Sequence, residues 1–81
     1  MKLPREISGE ELAKILTKYG YEITRRTGSH IRLTTQKQGE HHITIPAHKS
    51  LKIGTLSNIL NDIANHFKID KSDLVKELFS V

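Results

Sequence analysis

Three short segments of alternating polarity, at residues 21–26, 30–35 and 41–45, leave this chain few ways to fold. Apolar side chains recur at every second position: Tyr21 and Ile23, then Ile31 and Leu33, then Ile43 and Ile45. A period of two places each set on one face of an extended strand. Thr27-Gly28 reads as a turn, and Gln36 to Glu40, with Gly39, as a polar loop. Pro46 ends the third strand, because proline brings no amide to a ladder. Connections this short cannot make a parallel crossover, so the strands form an antiparallel meander. Its apolar face needs a cover. The same alternation turns Glu22, Thr24 and Arg26, then His30, Arg32 and Thr34, then His42 and Thr44 to the other side.

The flanking segments supply the cover. Ser8-Gly9-Glu10-Glu11 is a capping box, with Ile7 and Leu12 placed as a hydrophobic staple. The helix it starts runs to about Tyr19 with Leu12, Ile15, Leu16 and Tyr19 in one stripe, and Gly20 stops it. After a loop over Ala47 to Ile53, Gly54-Thr55 opens a second helix to about His66, with Leu56, Ile59, Leu60 and Ile63 as its stripe. Phe67 closes the core. Asp70 caps a last short helix that buries Leu74, Leu78 and Phe79. The expected fold class is α+β, in the order α-β-β-β-α, with helices on one face of a three-stranded antiparallel sheet and a short C-terminal helix. Eighty-one residues without a linker or repeat read as a single domain over 1–81. A chain this short buries about 60–65% of its unfolded surface, so its core is small.

Hydrophobic residues are 36% and charged residues 27%, a balance that excludes a disordered chain. No apolar run approaches the ~20 residues of a membrane span, and no secretory signal is recognisable, so a cytoplasmic location is expected. With no cysteine, disulfide and thiol chemistry are excluded. The net charge of +4 is concentrated in the middle. Residues 24–55 hold Arg25, Arg26, Arg32, Lys37, Lys49 and Lys52 against Glu40 alone, a balance of six minus one, or +5. Four histidines, His30, His41, His42 and His48, lie there too. A segment of one sign is the footprint of a polyanion partner, and by charge alone equally that of a solvated face.

Within that segment the order of motifs carries more information. Gly28-Ser29-His30 after an α-β start is followed by Ile45-Pro46-Ala47-His48-Lys49, then by Lys52-Ile53-Gly54-Thr55-Leu56 and Ile59-Leu60. Leu3-Pro4-Arg5 and Ser8-Gly9 precede them. This ordered set resembles the HicA toxins of HicA/HicB toxin–antitoxin systems, over residues 2 to about 67. The resemblance implies a fold like a double-stranded-RNA-binding domain and an mRNA interferase, a ribosome-independent endoribonuclease. It implies that His30 is catalytic. It also implies a HicB-like antitoxin that covers this histidine and the basic surface. His41-His42 and the tail after Phe67 have no counterpart in the motif.

The residues suit such chemistry without a cofactor. RNA carries its own nucleophile, the 2′-hydroxyl, and a metal-free nuclease needs a base, an acid and cations for the phosphorane. Histidine titrates near neutral pH, which fits it for proton transfer. Arg32, two residues on and on the same strand face, is a bidentate phosphate donor. Arg25 and Arg26 precede the turn. Ser29 holds the turn or orients His30 through its hydroxyl, and Gly28 supplies a positive φ or lets the backbone approach RNA. His48, Lys49 and Lys52 add cations, and Gly54 and Thr55 add free amides at a helix N-terminus. His41, His42 and His48 lack the carboxylates and spacing of a catalytic metal site, so no metal is expected. The aromatic residues fit the core, which argues against a stacking binder of single strands. Two other readings remain open: a non-catalytic double-stranded-RNA-binding module, and an interaction protein whose basic face receives an acidic partner.

Overall fold

The computed structural model describes residues 3–4 and 6–79. Arg5 of the Leu3-Pro4-Arg5 sequence lies outside them. The elements run α1 (Gly9–Ile15), extended by a 3₁₀ turn over Leu16–Tyr19, then β1 (Glu22–Arg26), β2 (His30–Thr35), β3 (His41–Pro46), α2 (Ile53–Phe67) and α3 (Lys71–Phe79). This is the expected α-β-β-β-α order with a terminal helix.

The capping box at Ser8 forms. The Glu11 amide donates to Ser8 Oγ and the Ser8 amide donates to the Glu11 carboxylate, both at 3.0 Å. Gly20 ends the first helical segment in the left-handed region, at φ 79°. Lys68 closes α2 in the same region without being glycine. The second helix begins at Ile53, one residue before the Gly54-Thr55 start read from the sequence.

The sheet is antiparallel in the order β1-β2-β3, so β2 is central. Its inner face carries Ile31, Leu33, Ile43 and Ile45, all buried against Leu12, Leu16, Leu56, Leu60 and Ile63 from the helices. The third helix adds Leu74, Val75 and Leu78 to this core. Phe79 and Phe67 pack at its margin, half-buried.

The first strand departs from simple alternation. Ile23 pairs with Leu33, but Arg25 pairs with Arg32 and Arg26 with Ile31, so Thr24 is an extra residue in a β-bulge. The bulge shifts the parity by one. Arg26 therefore lies on the inner, helix-bearing side, and Arg25 lies on the outer side with Arg32. This corrects the placement of Arg26 on the outer face. Ile23 is also corrected as a core residue, because the helices do not cover this edge strand and leave it 46% exposed.

Candidate nucleic-acid interface and active site

The turn between β1 and β2 is built by Thr27. Its backbone amide donates to the His30 carbonyl at 2.9 Å. Its hydroxyl oxygen accepts from the His30 amide at 3.1 Å and from the Ser29 amide at 3.4 Å. This side-chain-to-backbone turn holds the chain reversal without a left-handed residue. Among the described residues, positive φ occurs at Gly20, Gln38, Gly39 and Lys68, and not at Gly28. The first of the two roles expected for Gly28 is thereby corrected. A Cβ on Gly28 would meet nothing within 4 Å, so its backbone stands open to solvent.

His30 begins β2 opposite Pro46 and projects from the outer face, exposed. Its Nδ1 lies 2.9 Å from Ser29 Oγ, and its Nε2 has no hydrogen-bond partner among the described residues. The hydroxyl thus orients the ring by one nitrogen, and an imidazole so held can exchange a proton near neutral pH through the other.

Three backbone bonds bring the rest of the motif to this end of the sheet. The Ala47 amide donates to the Ser29 carbonyl at 2.9 Å, the Gly9 amide to the His48 carbonyl at 3.0 Å, and the Leu51 amide to the Ile7 carbonyl at 2.8 Å. The loop 47–52 is therefore pinned between the His30 turn and the start of α1. His48, Lys49 and Lys52 are exposed on it. At the first turn of α2, Gly54 is exposed, Thr55 is half-buried, and no acidic residue is present. No side chain caps the helix, so its leading amides face outward with their partial positive charge.

The outer face beyond His30 carries Arg25, Arg32, Thr24, Thr34, Thr44 and His42. Thr24 Oγ1 lies 3.2 Å from Thr34 Oγ1. Arg26 stands apart from this set. Its guanidinium forms a two-pronged ion pair with Glu10 on α1, one contact being Nη2 to Oε1 at 2.9 Å. That pairing holds the Glu10 carboxyl below its ordinary range and raises the Arg26 guanidinium above its own.

His41, His42 and His66 have no role read from the sequence, and the structure gives each of them structural partners. Tyr21 donates its hydroxyl to His41 Nδ1 at 2.6 Å, and His41 Nε2–H donates to the Asp62 carboxylate at 3.3 Å. The His66 ring stacks on His41 at 4.4 Å, and its Nε2–H donates to the Lys37 carbonyl at 2.9 Å. Burial, with Asp62 second, pushes the Tyr21 phenol up. Tyr21 is fully buried and His41 half-buried, while Asp62 at the end of this chain of bonds is exposed. His42 accepts from the Thr34 hydroxyl at 2.7 Å and donates to Glu40 at 2.7 Å. A bonded pair of this kind between adjacent strands has no sequence signal beyond the spacing of Thr34 and His42. Among the described residues, no group of three or more histidine, cysteine or carboxylate side chains is arranged to hold a metal.

Residues 9–64 match the family model described as the HicA toxin of bacterial toxin–antitoxin systems. The chain belongs to this family. The match includes the Gly28-Ser29-His30 turn, the pinned loop and most of α2, and it leaves α3 outside. HicA membership makes the protein the toxin of a toxin–antitoxin pair, with a cognate antitoxin and RNA as its counterparts. No curated protein and no solved structure matches the chain. Among the described residues, no helix is long and apolar enough to cross a membrane.

Proposed function

We propose that this HicA-family chain is a metal-independent endoribonuclease, an mRNA interferase, with His30 as its catalytic residue. The observation that carries the reading is the exposed His30 imidazole, held through Nδ1 by Ser29 with Nε2 free, beside an open backbone at Gly28. His30 Nε2 takes the proton of the RNA 2′-hydroxyl. The 2′-oxygen bonds to phosphorus, and the bond from phosphorus to the 5′-oxygen breaks. The leaving oxygen receives a proton from a second acid, for which His48 is the other exposed imidazole at this end of the sheet. The products are then a 2′,3′-cyclic phosphate and a 5′-hydroxyl. Arg25, Arg32, Lys49 and Lys52 and the amides of Gly54 and Thr55 attract and seat the phosphates. A HicB-like antitoxin inhibits by covering His30 and these cations, and the pair operates in the cytoplasm.

The test is incubation of a long mRNA in EDTA with the purified protein and with its His30→Ala variant. Cleavage by the wild type alone, leaving cyclic-phosphate ends, is the expected result. Binding without cleavage by either protein would favour the double-stranded-RNA-binding module. Equal cleavage by both would remove His30 from the reaction.

A further inference from the structure

The bulge at Thr24 creates an arrangement that costs the folded protein stability on its own. Arg25 and Arg32 are directly opposed on adjacent strands, on the exposed outer face. Directly opposed positions place Cβ atoms about 4.5–5.5 Å apart, and like charges there repel. Neither guanidinium forms an ion pair among the described residues, where the ion pairs present are Arg26–Glu10, His41–Asp62 and His42–Glu40. Glu22, the acid nearest Arg25 in sequence, lies on the same face opposite Thr34 and forms no ion pair with either guanidinium among the described residues; Glu10 holds Arg26, and Glu40 holds His42. Arg26, one residue from Arg25, is neutralised on the opposite face. The fold thus sorts two adjacent arginines into one that is paired and one that faces another arginine.

Arg32 sits two residues along β2 from His30 on the same face, about 7 Å at the rise of a strand. Two guanidinium forks at this separation surround a tetrahedral anion from two sides, and each can donate two parallel N–H bonds. Resting on the His30 reading, we propose that Arg25 and Arg32 form a phosphate clamp that holds the scissile phosphodiester beside His30. The clamp carries the extra charge of the phosphorane. When the 2′-oxygen adds to phosphorus, the non-bridging oxygens gain negative charge, and both forks bind the dianion more tightly than the monoanionic ground state. Bound phosphate also relieves the repulsion between the two arginines. The bulge is the device that makes the pair, since a regular strand would present Thr24 opposite Arg32.

The test has two arms. In the first, kcat and KM for RNA cleavage are measured for Arg25→Ala, Arg32→Ala and Arg26→Ala, with Arg25→Lys as the conservative variant. Loss of one such donor costs on the order of a hundredfold. Arg25→Ala and Arg32→Ala are expected to lose about that in kcat with far smaller changes in KM, Arg25→Lys to recover part, and Arg26→Ala to lose much less. Equal losses in Arg25→Ala and Arg26→Ala, or losses confined to KM, would overturn the clamp. In the second arm, which needs no catalysis, melting temperature is followed in millimolar sodium sulfate and in sodium chloride of equal ionic strength. Sulfate is expected to raise it more in wild type than in Arg25→Ala. An equal rise in both overturns the anion site. A wild type that cleaves no RNA yet shows the sulfate difference removes the nuclease reading and keeps the site. Lost sulfate response with unchanged kcat in Arg25→Ala leaves an anion site without a part in the reaction, and overturns the clamp's catalytic role.

Discussion

Gly9 is where the core fold and the candidate site share an atom-scale constraint. A Cβ built there lies 2.1 Å from the Pro46 carbonyl oxygen, 3.1 Å from the Pro46 carbonyl carbon and 3.3 Å from Ala47 Cα. All three are backbone atoms, so no side chain can swing away. Real Cβ contacts stay beyond 3.0 Å, so Gly9→Ala demands a shift of at least 3.0 − 2.1 = 0.9 Å. Both sides are tied: the Gly9 amide to the His48 carbonyl, the Ala47 amide to the Ser29 carbonyl, and Pro46 to His30 in the ladder. Forced overpacking costs about 1–3 kcal/mol. Alanine returns at most about 1 kcal/mol of helix preference. With the full return subtracted, the expected net loss reaches about 2 kcal/mol, or about 8–16 °C in melting temperature for a domain of this size. Gly54 is the internal control. It too lies in the first turn of a helix, and its added Cβ would meet nothing within 4 Å. Gly54→Ala is therefore expected to be neutral or stabilising by up to about 1 kcal/mol. Thermal and urea unfolding followed by circular dichroism decide it. A Gly9→Ala protein as stable as Gly54→Ala would refute the close approach. Since the strain is relieved through Pro46 and Ala47, Gly9→Ala is also expected to slow RNA cleavage.

Two further outcomes follow from single side chains. Thr27→Val keeps the shape but removes the oxygen that accepts from the Ser29 and His30 amides, so cleavage is expected to fall about tenfold or more, with Thr27→Ser restoring it. Single-turnover cleavage of RNA checks this, and an unchanged Thr27→Val rate would free His30 from dependence on the turn. The Tyr19 phenol is pushed up to about 12 from its ordinary 10, by burial first and then by its bond to Glu77. The folded protein holds that proton more tightly than the unfolded chain, so this contribution is whole below pH 10 and is lost as pH rises from 10 to about 12. Urea unfolding across that window is expected to be less pH-sensitive in Tyr19→Phe than in wild type.

The sequence was most informative where local chemistry decides the structure. The capping box, the left-handed Gly20, the three strands and the helical stripes all follow from neighbours within four residues. Position His30 was legible as well, because a strand following a turn fixes which way its first side chain points. The misplaced arginine has one cause and Ile23 another. Thr24, Arg25 and Arg26 read as unbroken alternation, and nothing in Thr-Arg-Arg announces an extra residue. The bulge is set by tertiary partners: Thr24 Oγ1 reaches the Arg32 carbonyl and Thr34, and Glu10 on α1 draws Arg26 inward. Ile23 looked like core because periodicity reports a face and not whether a helix covers it. The Tyr21–His41–Asp62 chain joins residues 20 and 21 positions apart, beyond the reach of any local pattern.

The two ends of the sheet divide the histidines by accessibility, and this separates stability from chemistry. At the start of β2, His30 is exposed and its ring bonds to Ser29 through Nδ1. At the end of β2, the position paired with Thr35 is His41, whose two nitrogens are both occupied and whose ring is stacked. A base needs a free nitrogen and an open approach, so only the first end can act on a polymer. The second end needs fixed partners, and it joins β3 to α2 through Asp62 and His66. Substitutions at His41 or Asp62 should therefore lower stability while sparing the rate of the folded fraction, and substitutions at His30 should do the reverse. A chain that carried its reactive histidine in the satisfied network would have to break that network at each turnover. On the proposed reading the reactive histidine lies at the open end, and the core is left undisturbed by the reaction.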